Sequence, residues 1–328
     1  MLENTNAAVG PKLRQPKHIS VRDFYERHHK ELGLRLLGSD AGFARLISEP
    51  TVNRPGLALA GFYAYFARKR IQVIGNQEFA YLESLSGAEQ VARFAELCAH
   101  DFPCLIICRD IQLSAALLEV VEKERVAIFS TRTRTMKFIN AATIVLEREF
   151  APSVSAHGSM VDVRGIGVLI RGASGTGKSE TVLGLIERGH SLVADDLVHL
   201  RTLEGREVVG SAPEMGRYYM EVRGLGIINI PALYGIASMR LEKRLDLVVS
   251  LMVDVDINEF ERVGNEPKFH NILGIEVPLV ELPVLPGRDM SLLVEVAALD
   301  QKLRSFGHNS AVEFNKNLLK LMQKKHIS

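Results

Sequence analysis

Apolar positions in the first 150 residues recur with two different periods. Val21 to Gly33 and Gly87 to His100 carry helical spacing, whereas Ile71-Gln72-Val73-Ile74, Cys104 to Cys108 and Val126-Ala127-Ile128-Phe129 are short β-rich apolar runs. Helical and strand patterns in alternation predict an α/β unit with a largely parallel sheet. Asn53-Arg54-Pro55-Gly56 reads as a turn, and an apolar stretch from Leu57 to Phe66 follows it. From Ser130 the chain turns basic and then helical, with Arg132, Arg134 and Lys137 ahead of Phe138, Ile139, Ala142, Ile144, Val145 and Leu146. That pattern predicts a connecting helix. The chain accordingly divides into an N-terminal α/β domain over 1–134 and a second domain over 135–328, which starts with the connecting helix and opens its own β patterning near Pro152.

In the second half, Met160 to Arg164 and Gly167 to Ile170 have β character, and Val182, Leu183, Leu185 and Ile186 place a helix within Glu180 to His190. A further strand, Ser191-Leu192-Val193-Ala194, ends in Asp195-Asp196. Near the end, Phe314, Leu318, Leu321 and Met322 fall at i, i+4, i+7 and i+8. They predict an amphipathic helix packed on its own domain.

Composition narrows the classes. The 328 residues carry 40 Lys+Arg and 39 Asp+Glu, a net charge of +1, with 47% hydrophobic residues. That balance is too apolar and too neutral for a disordered chain, and the absence of Trp argues against a base-stacking nucleic-acid binder. The first 150 residues carry +3 and the remainder −2, so neither half is a polyanion-binding domain by charge. No nucleic-acid partner is expected. No apolar run reaches the roughly 18 residues needed to cross a bilayer, and Met1 to Arg14 is polar. The expectation is a cytoplasmic protein with no membrane partner. Cys98, Cys104 and Cys108 lack a CxxC spacing and flank apolar residues, which predicts buried free thiols.

The sharpest local signal is Gly172-Ala173-Ser174-Gly175-Thr176-Gly177-Lys178-Ser179, a full GxxxxGK[ST] phosphate-loop motif. Val168-Leu169-Ile170 supplies a strand before it and Glu180 to His190 a helix after it. Glycines let the backbone N–H groups converge on phosphate oxygens at a helix N-terminus, whose dipole favours anions. Lys178 would reach the β- and γ-phosphates of ATP, and the Ser179 hydroxyl would ligate Mg²⁺. Asp195 and Asp196 stand at the carboxyl end of the next strand, where α/β folds hold their ligands. One carboxylate can hold the metal or its water, and the other is left to act as a base.

Several motifs together resemble the HPr kinase/phosphorylase family. They are the loop with Glu180-Thr181, then Arg188-Gly189-His190, Ala194-Asp195-Asp196, and Glu221-Val222-Arg223-Gly224-Leu225-Gly226-Ile227-Ile228-Asn229. Asn53 to Gly61 and Arg70 to Gly75 extend the likeness to the N-terminal half. The resemblance implies an N-terminal α/β domain followed by a P-loop kinase domain related to phosphoenolpyruvate carboxykinase. It implies a bifunctional Mg²⁺-dependent enzyme of bacterial carbon regulation. Such an enzyme phosphorylates a regulatory serine of the phosphocarrier HPr from ATP (or pyrophosphate) and removes that phosphate with inorganic phosphate, forming pyrophosphate. It also implies a homohexamer. No HRD or DFG element of eukaryotic-type kinases is present.

By position, the resemblance makes Asp196 the group that takes the serine proton and returns it in the reverse reaction, with Asp195 the alternative base. His157, in Ala156-His157-Gly158, matches the family's active-site histidine, and Arg262, in Phe260-Glu261-Arg262-Val263-Gly264, its catalytic arginine. Glu221 joins Ser179 at the metal, and Arg223 is structural or phosphate-facing. Pro283-Val284-Leu285-Pro286-Gly287-Arg288 matches a loop used mainly for dephosphorylation, Arg288 being its cation. Leu285 stands where relatives commonly carry a basic residue, and Asp289 where they carry Asn. Those departures predict weaker anion binding at that loop. A phosphate-loop kinase of another substrate, or a non-enzymatic nucleotide or phosphate sensor, remains open on sequence.

Overall fold

The computed structural model describes residues 18–253, 255, 267–310, 312–314, 316 and 322. The chain divides into two compact units at Ala151/Pro152. Each is built around its own sheet.

The first unit has a five-stranded sheet in the order Arg35–Leu37, Ala127–Thr131, Cys104–Cys108, Ile71–Ile74, Val52–Asn53. Its last four strands are parallel, and only Arg35–Leu37 runs against its neighbour. The three central strands are wholly buried and mostly apolar because both faces are covered. In Cys104–Cys108, Cys104, Ile106 and Cys108 face one helical layer, whereas Leu105 and Ile107 face the other. Helix Val21–Leu32 begins at a Ser20 cap that accepts the Asp23 N–H and ends at Gly33, in the left-handed region at φ 62°. The three thiols are buried and unpaired, and burial pushes Cys98 up to about 12 and Cys108 up to about 11.

Helix Thr135–Phe150 belongs to this first unit. Its stripe of Phe138, Ala142, Val145 and Leu146 is buried with Phe24, Ile106 and Phe129. The division expected at 134/135 therefore falls at 151/152 instead. The apolar stripe needs a partner, and the sheet of the first unit provides it.

The second unit, from Pro152, has three layers. Helices Lys178–Glu187 and Met290–Ser305 cover one face of a six-stranded sheet, with Val182, Leu185 and Val294 in the shared core. A four-stranded sheet, ordered Glu242–Arg244, Glu207–Ser211, Leu197–Leu203, Ser153–His157, covers the other face through Val154, Leu169, Val198 and Val248. The six strands run Ser191–Ala194, Ser159–Val163, Ile166–Gly172, Leu247–Met252, Ile275–Pro283, Lys268–Ile272. Ile166–Gly172, Leu247–Met252 and Ile275–Pro283 are parallel, and two antiparallel steps bring Ser191–Ala194 into the same direction. Four carboxyl ends thus share one edge.

Of the predicted terminal stripe, Phe314 and Met322 are exposed, and Leu318 and Leu321 lie outside the described residues. The described positions do not pack on their own domain. Among the described residues, no helix is long and apolar enough to cross a membrane.

Phe138→Ala should destabilise the first unit by about 3–5 kcal/mol through the cavity it leaves. Urea unfolding followed on both units checks this, and the expected result is an earlier transition confined to the unit containing Phe129.

Candidate active site

The loop Gly172–Ser179 follows directly from strand Ile166–Gly172, and its shape depends on particular glycines. Gly175 and Gly177 sit at φ 87° and 80°, a region other residues enter with strain. A Cβ on Gly172 would lie 2.7 Å from Thr176 Oγ1 and 3.0 Å from the Leu251 carbonyl oxygen. Lys178 opens the helix and curls back, its Nζ donating to the carbonyl oxygens of Gly172 at 3.0 Å and Ala173 at 2.9 Å. The ammonium is thus held at the mouth of the loop.

At the edge beside this loop, two strands change sheets. Ser153–His157 lies in the four-stranded sheet and its continuation Ser159–Val163 in the six-stranded one; Ser191–Ala194 and Leu197–Leu203 make the same passage in reverse. The crossings occur at Gly158 and at Asp195-Asp196, and the Gly158 N–H donates to the Asp196 carbonyl oxygen at 3.0 Å. Gly158 has φ 147°, and a Cβ there would lie 2.6 Å from the Ile170 carbonyl oxygen. Asp196 itself is left-handed at φ 61°, a conformation Asp tolerates better than most residues.

The two aspartates have different surroundings. Asp195 is half-buried, accepting the Ser159 hydroxyl at 2.6 Å and the Glu221 backbone N–H at 3.3 Å. Burial holds its carboxyl above the usual range, against the lowering effect of those hydrogen bonds. Asp196 is exposed, with no side-chain hydrogen bond among the described residues, so its carboxylate is available to a ligand. Asp195 ties down structure, and the Asp196 carboxylate is left unengaged among the described residues.

The bond from Glu221 to Asp195 also anchors a hairpin, Tyr219–Val222 against Gly226–Asn229. Met220 and Val222 enter the core and Glu221 alternates outward. Arg223 follows at the turn, its guanidinium 3.6 Å from the position of a Cβ on Gly175. One cavity of about 280 Å³ brings together Ser174, Lys178, Ser179, Asp195, Asp196, Glu221 and Arg223, along with Ser159 and Glu180.

The expected residues therefore fall into three groups. Lys178, Ser179, Asp195, Asp196, Glu221 and Arg223 converge on the cavity. His157 is exposed and does not line it, although its strand pairs opposite Leu197, next to Asp196. Arg288 is also exposed and outside the lining, and Arg262 lies outside the described residues. Asp289 has partners of its own. It caps helix Met290–Ser305 by accepting the Leu292 N–H at 3.0 Å and pairs with Arg188 at 2.6 Å. Its negative charge is directed at a helix end and an arginine, not at the cavity. Ser159 went unnoticed in the sequence, where a serine opening a β run carries no signal of its own.

A mixed α/β unit with a phosphate-shaped loop facing paired aspartates defines a phosphotransferase site. The HPr Serine kinase C-terminal domain matches residues 148–318, and the HPr Serine kinase N terminus matches 19–146. The HPr kinase/phosphorylase of Leptospira biflexa serovar Patoc is 40% identical over 306 residues, covering 92% of this chain and 94% of that protein. That of Caldanaerobacter subterraneus subsp. tengcongensis is 40% identical over 291 residues, covering 89% and 95%. The solved Hpr(Ser) kinase/phosphatase from Coxiella burnetii is 32% identical, with a TM-score of 0.43, covering 49% of this chain and 97% of that one. The chain belongs to the HPr kinase/phosphorylase family, and it is an enzyme of the serine kinase/phosphorylase class.

Gly158→Ala should destabilise the second unit by about 1–3 kcal/mol, because both the positive φ and the close carbonyl resist a side chain. Ser159→Ala should push the Asp195 carboxyl further up. A carboxyl raised by folding stabilises the protein at acid pH and loses that contribution as pH rises through its folded value. The variant should accordingly show a steeper loss of stability with rising pH, measured by urea unfolding across the carboxylate range.

Proposed function

We propose that this enzyme phosphorylates a regulatory serine of HPr from ATP with Mg²⁺ and removes it by phosphorolysis, in the cytoplasm, as part of carbon regulation. The observation that carries the reading is the shared cavity in which Lys178 and the P-loop face the free carboxylate of Asp196.

The donor set suits a hard cation: the Ser179 hydroxyl and the Glu221 carboxylate line the same space, with Asp195 and Asp196 beside them. Among the described residues no group of three or more His, Cys, Asp or Glu side chains is gathered tightly enough to hold a metal alone. That fits Mg²⁺, which takes one or two protein ligands and completes its shell with water and substrate phosphates. When bound, Mg²⁺ neutralises charge on the phosphates.

In the forward direction the serine Oγ attacks the γ-phosphorus, its proton passes to the Asp196 carboxylate, and the bond to the bridging oxygen of ADP breaks. Lys178 and Arg223 offset the charge spread over the phosphoryl oxygens. In the reverse direction an oxygen of inorganic phosphate attacks the phosphoserine phosphorus, the bond to Oγ breaks, and Asp196 returns the proton to Oγ. The products are serine and pyrophosphate. One carboxylate can serve both reactions because each exchanges a proton with the same serine Oγ. The reading extends to a kinase domain related to phosphoenolpyruvate carboxykinase, as the family resemblance implies. Self-association as a homohexamer draws support from Met215, Leu225, Ile227, Leu233 and Ile236, large apolar side chains that all face solvent in the single chain.

Incubating the protein with HPr, ATP and Mg²⁺ should add one phosphate mass to HPr by mass spectrometry, and chelating the metal should prevent it. An unchanged HPr mass in the complete mixture would falsify the assignment. Asp196→Asn should lower both phosphorylation and phosphorolysis by at least about 100-fold with an unaltered fold. Retained phosphorylation in that variant would move the base to Asp195.

A further inference from the structure

The first unit has a cavity of its own, of about 290 Å³, and the cavity holds a polar group that the fold leaves unsatisfied. Ser130, on strand Ala127–Thr131, lines it and is only 3% exposed, yet its Oγ has no hydrogen-bond partner among the described residues. A buried hydroxyl in that state costs free energy that a bound polar atom would recover.

The sheet fixes the face on which this hydroxyl stands. Side chains alternate along a strand, so Ser130 shares a face with Ile128, and Phe129 packs in the opposite layer. In the antiparallel pair with Arg35–Leu37, Arg35 stands opposite Ser130 and Leu37 opposite Ile128, on that same face. Ile111 and Leu113 pack in the same layer from the segment that follows Cys104–Cys108. Arg109 and Asp110, left-handed at φ 65° and 56°, turn the chain there, and the Asp110 N–H donates to the Thr131 carbonyl oxygen at 3.0 Å. The cavity thus lies at the carboxyl ends of two parallel strands, where open α/β sheets take their ligands.

Its lining is apolar on one side and cationic on the other. Leu37, Ile111, Leu113 and Leu118 form the walls, and the half-exposed Arg35 lines the same space. Arg35 Nη2 donates to one oxygen of Asp110, and Arg132 Nε lies 3.6 Å from the other. Two guanidiniums share one carboxylate, so one positive charge is left over beside the cavity. Because Arg35 and Ser130 are cross-strand neighbours, a single anionic group can meet both. One arginine and one hydroxyl suit one carboxylate better than a polyphosphate, and the apolar walls call for an aliphatic body.

We propose that this cavity is a binding site for a small organic carboxylate, separate from the phosphotransferase site. The carboxylate meets the Arg35 guanidinium and accepts the Ser130 hydroxyl, and the aliphatic body rests against Leu37, Ile111, Leu113 and Leu118. Asp110 holds Arg35 in place and competes with the ligand for it. The site lies wholly within the first unit and does not depend on the reading of the catalytic cavity.

The test titrates the full-length protein with isocaproate, followed by ligand-observed NMR. The wild type should bind it saturably, Arg35→Gln should weaken binding about tenfold, and Ser130→Ala should weaken it about threefold. Asp110→Asn, which removes the competing carboxylate, should tighten it. The neutral isocaproamide and the body-less inorganic phosphate should each bind at least about tenfold more weakly at this site. No binding of isocaproate to the wild type overturns the proposal, as does equal binding by Arg35→Gln and Ser130→Ala. Loss of binding in Lys178→Met also overturns it, because that puts the carboxylate at the P-loop. Thermal melting checks the fold of each variant; should Arg35→Gln fail to fold, Ser130→Ala and the acid-against-amide comparison on the wild type decide the matter.

Discussion

One hydrogen bond ties the catalytic edge together: the Gly158 N–H to the Asp196 carbonyl oxygen, at 3.0 Å. Two strands leave one sheet for another at this point, and each places a candidate residue at its crossing. A crossing on one side alone would leave its neighbour's backbone polar groups without partners at a packed sheet edge. The pair satisfies them together. Gly158 is the residue that permits this, since the Ile170 carbonyl occupies the space of any side chain and φ is positive. Asp196 takes the complementary strain at φ 61°. The Asp196 carboxylate, the proposed base, is therefore positioned by backbone, and its own oxygens are left unengaged among the described residues.

Asp195 shows why two adjacent carboxylates can coexist here. Ser159 and the Glu221 backbone occupy its oxygens, and burial favours its neutral form. Repulsion between the neighbours is reduced whenever Asp195 is protonated. By holding the Glu221 strand, it also links the acidic edge to the hairpin that delivers Arg223 to the glycine-rich loop. The chain's net charge of +1 is compatible with the anion site proposed at this loop, because backbone N–H groups of such a loop supply much of the positive potential.

The parts of the fold legible in the sequence were those governed by local period and turn chemistry. Ile71–Ile74, Cys104–Cys108 and Ser191–Ala194 are strands over the expected residues, and Val21–Leu32 and Gly87–Ala99 are helices to within a residue. The loop and the acidic pair were legible because their chemistry demands a fixed spacing. The domain boundary was not, since an apolar stripe such as Phe138, Ala142 and Val145 announces that it will be covered but not by which sheet. The strand crossings were hidden for a related reason. Ser155 to Ser159 carries no mark showing that its two ends belong to different sheets.

Charge at this edge makes the same point about position. Counting residues around the loop 283–288, Leu285 removes a cation and Asp289 adds an anion relative to the family pattern, which reads as a loop poorer in positive charge. In space, Asp289 faces a helix N-terminus and Arg188, so its charge is compensated before it reaches the cavity. Arg171, which no motif singled out, directs its guanidinium to His270 and pairs with no carboxylate among the described residues. The relevant quantity is thus the number of unpaired cations that face the reacting groups, not the sum over a loop. By that measure Asp289, already engaged by Arg188 and the helix end, weighs less than its formal charge, and the loss of a basic side chain at position 285 is the departure that bears on the anion binding expected there.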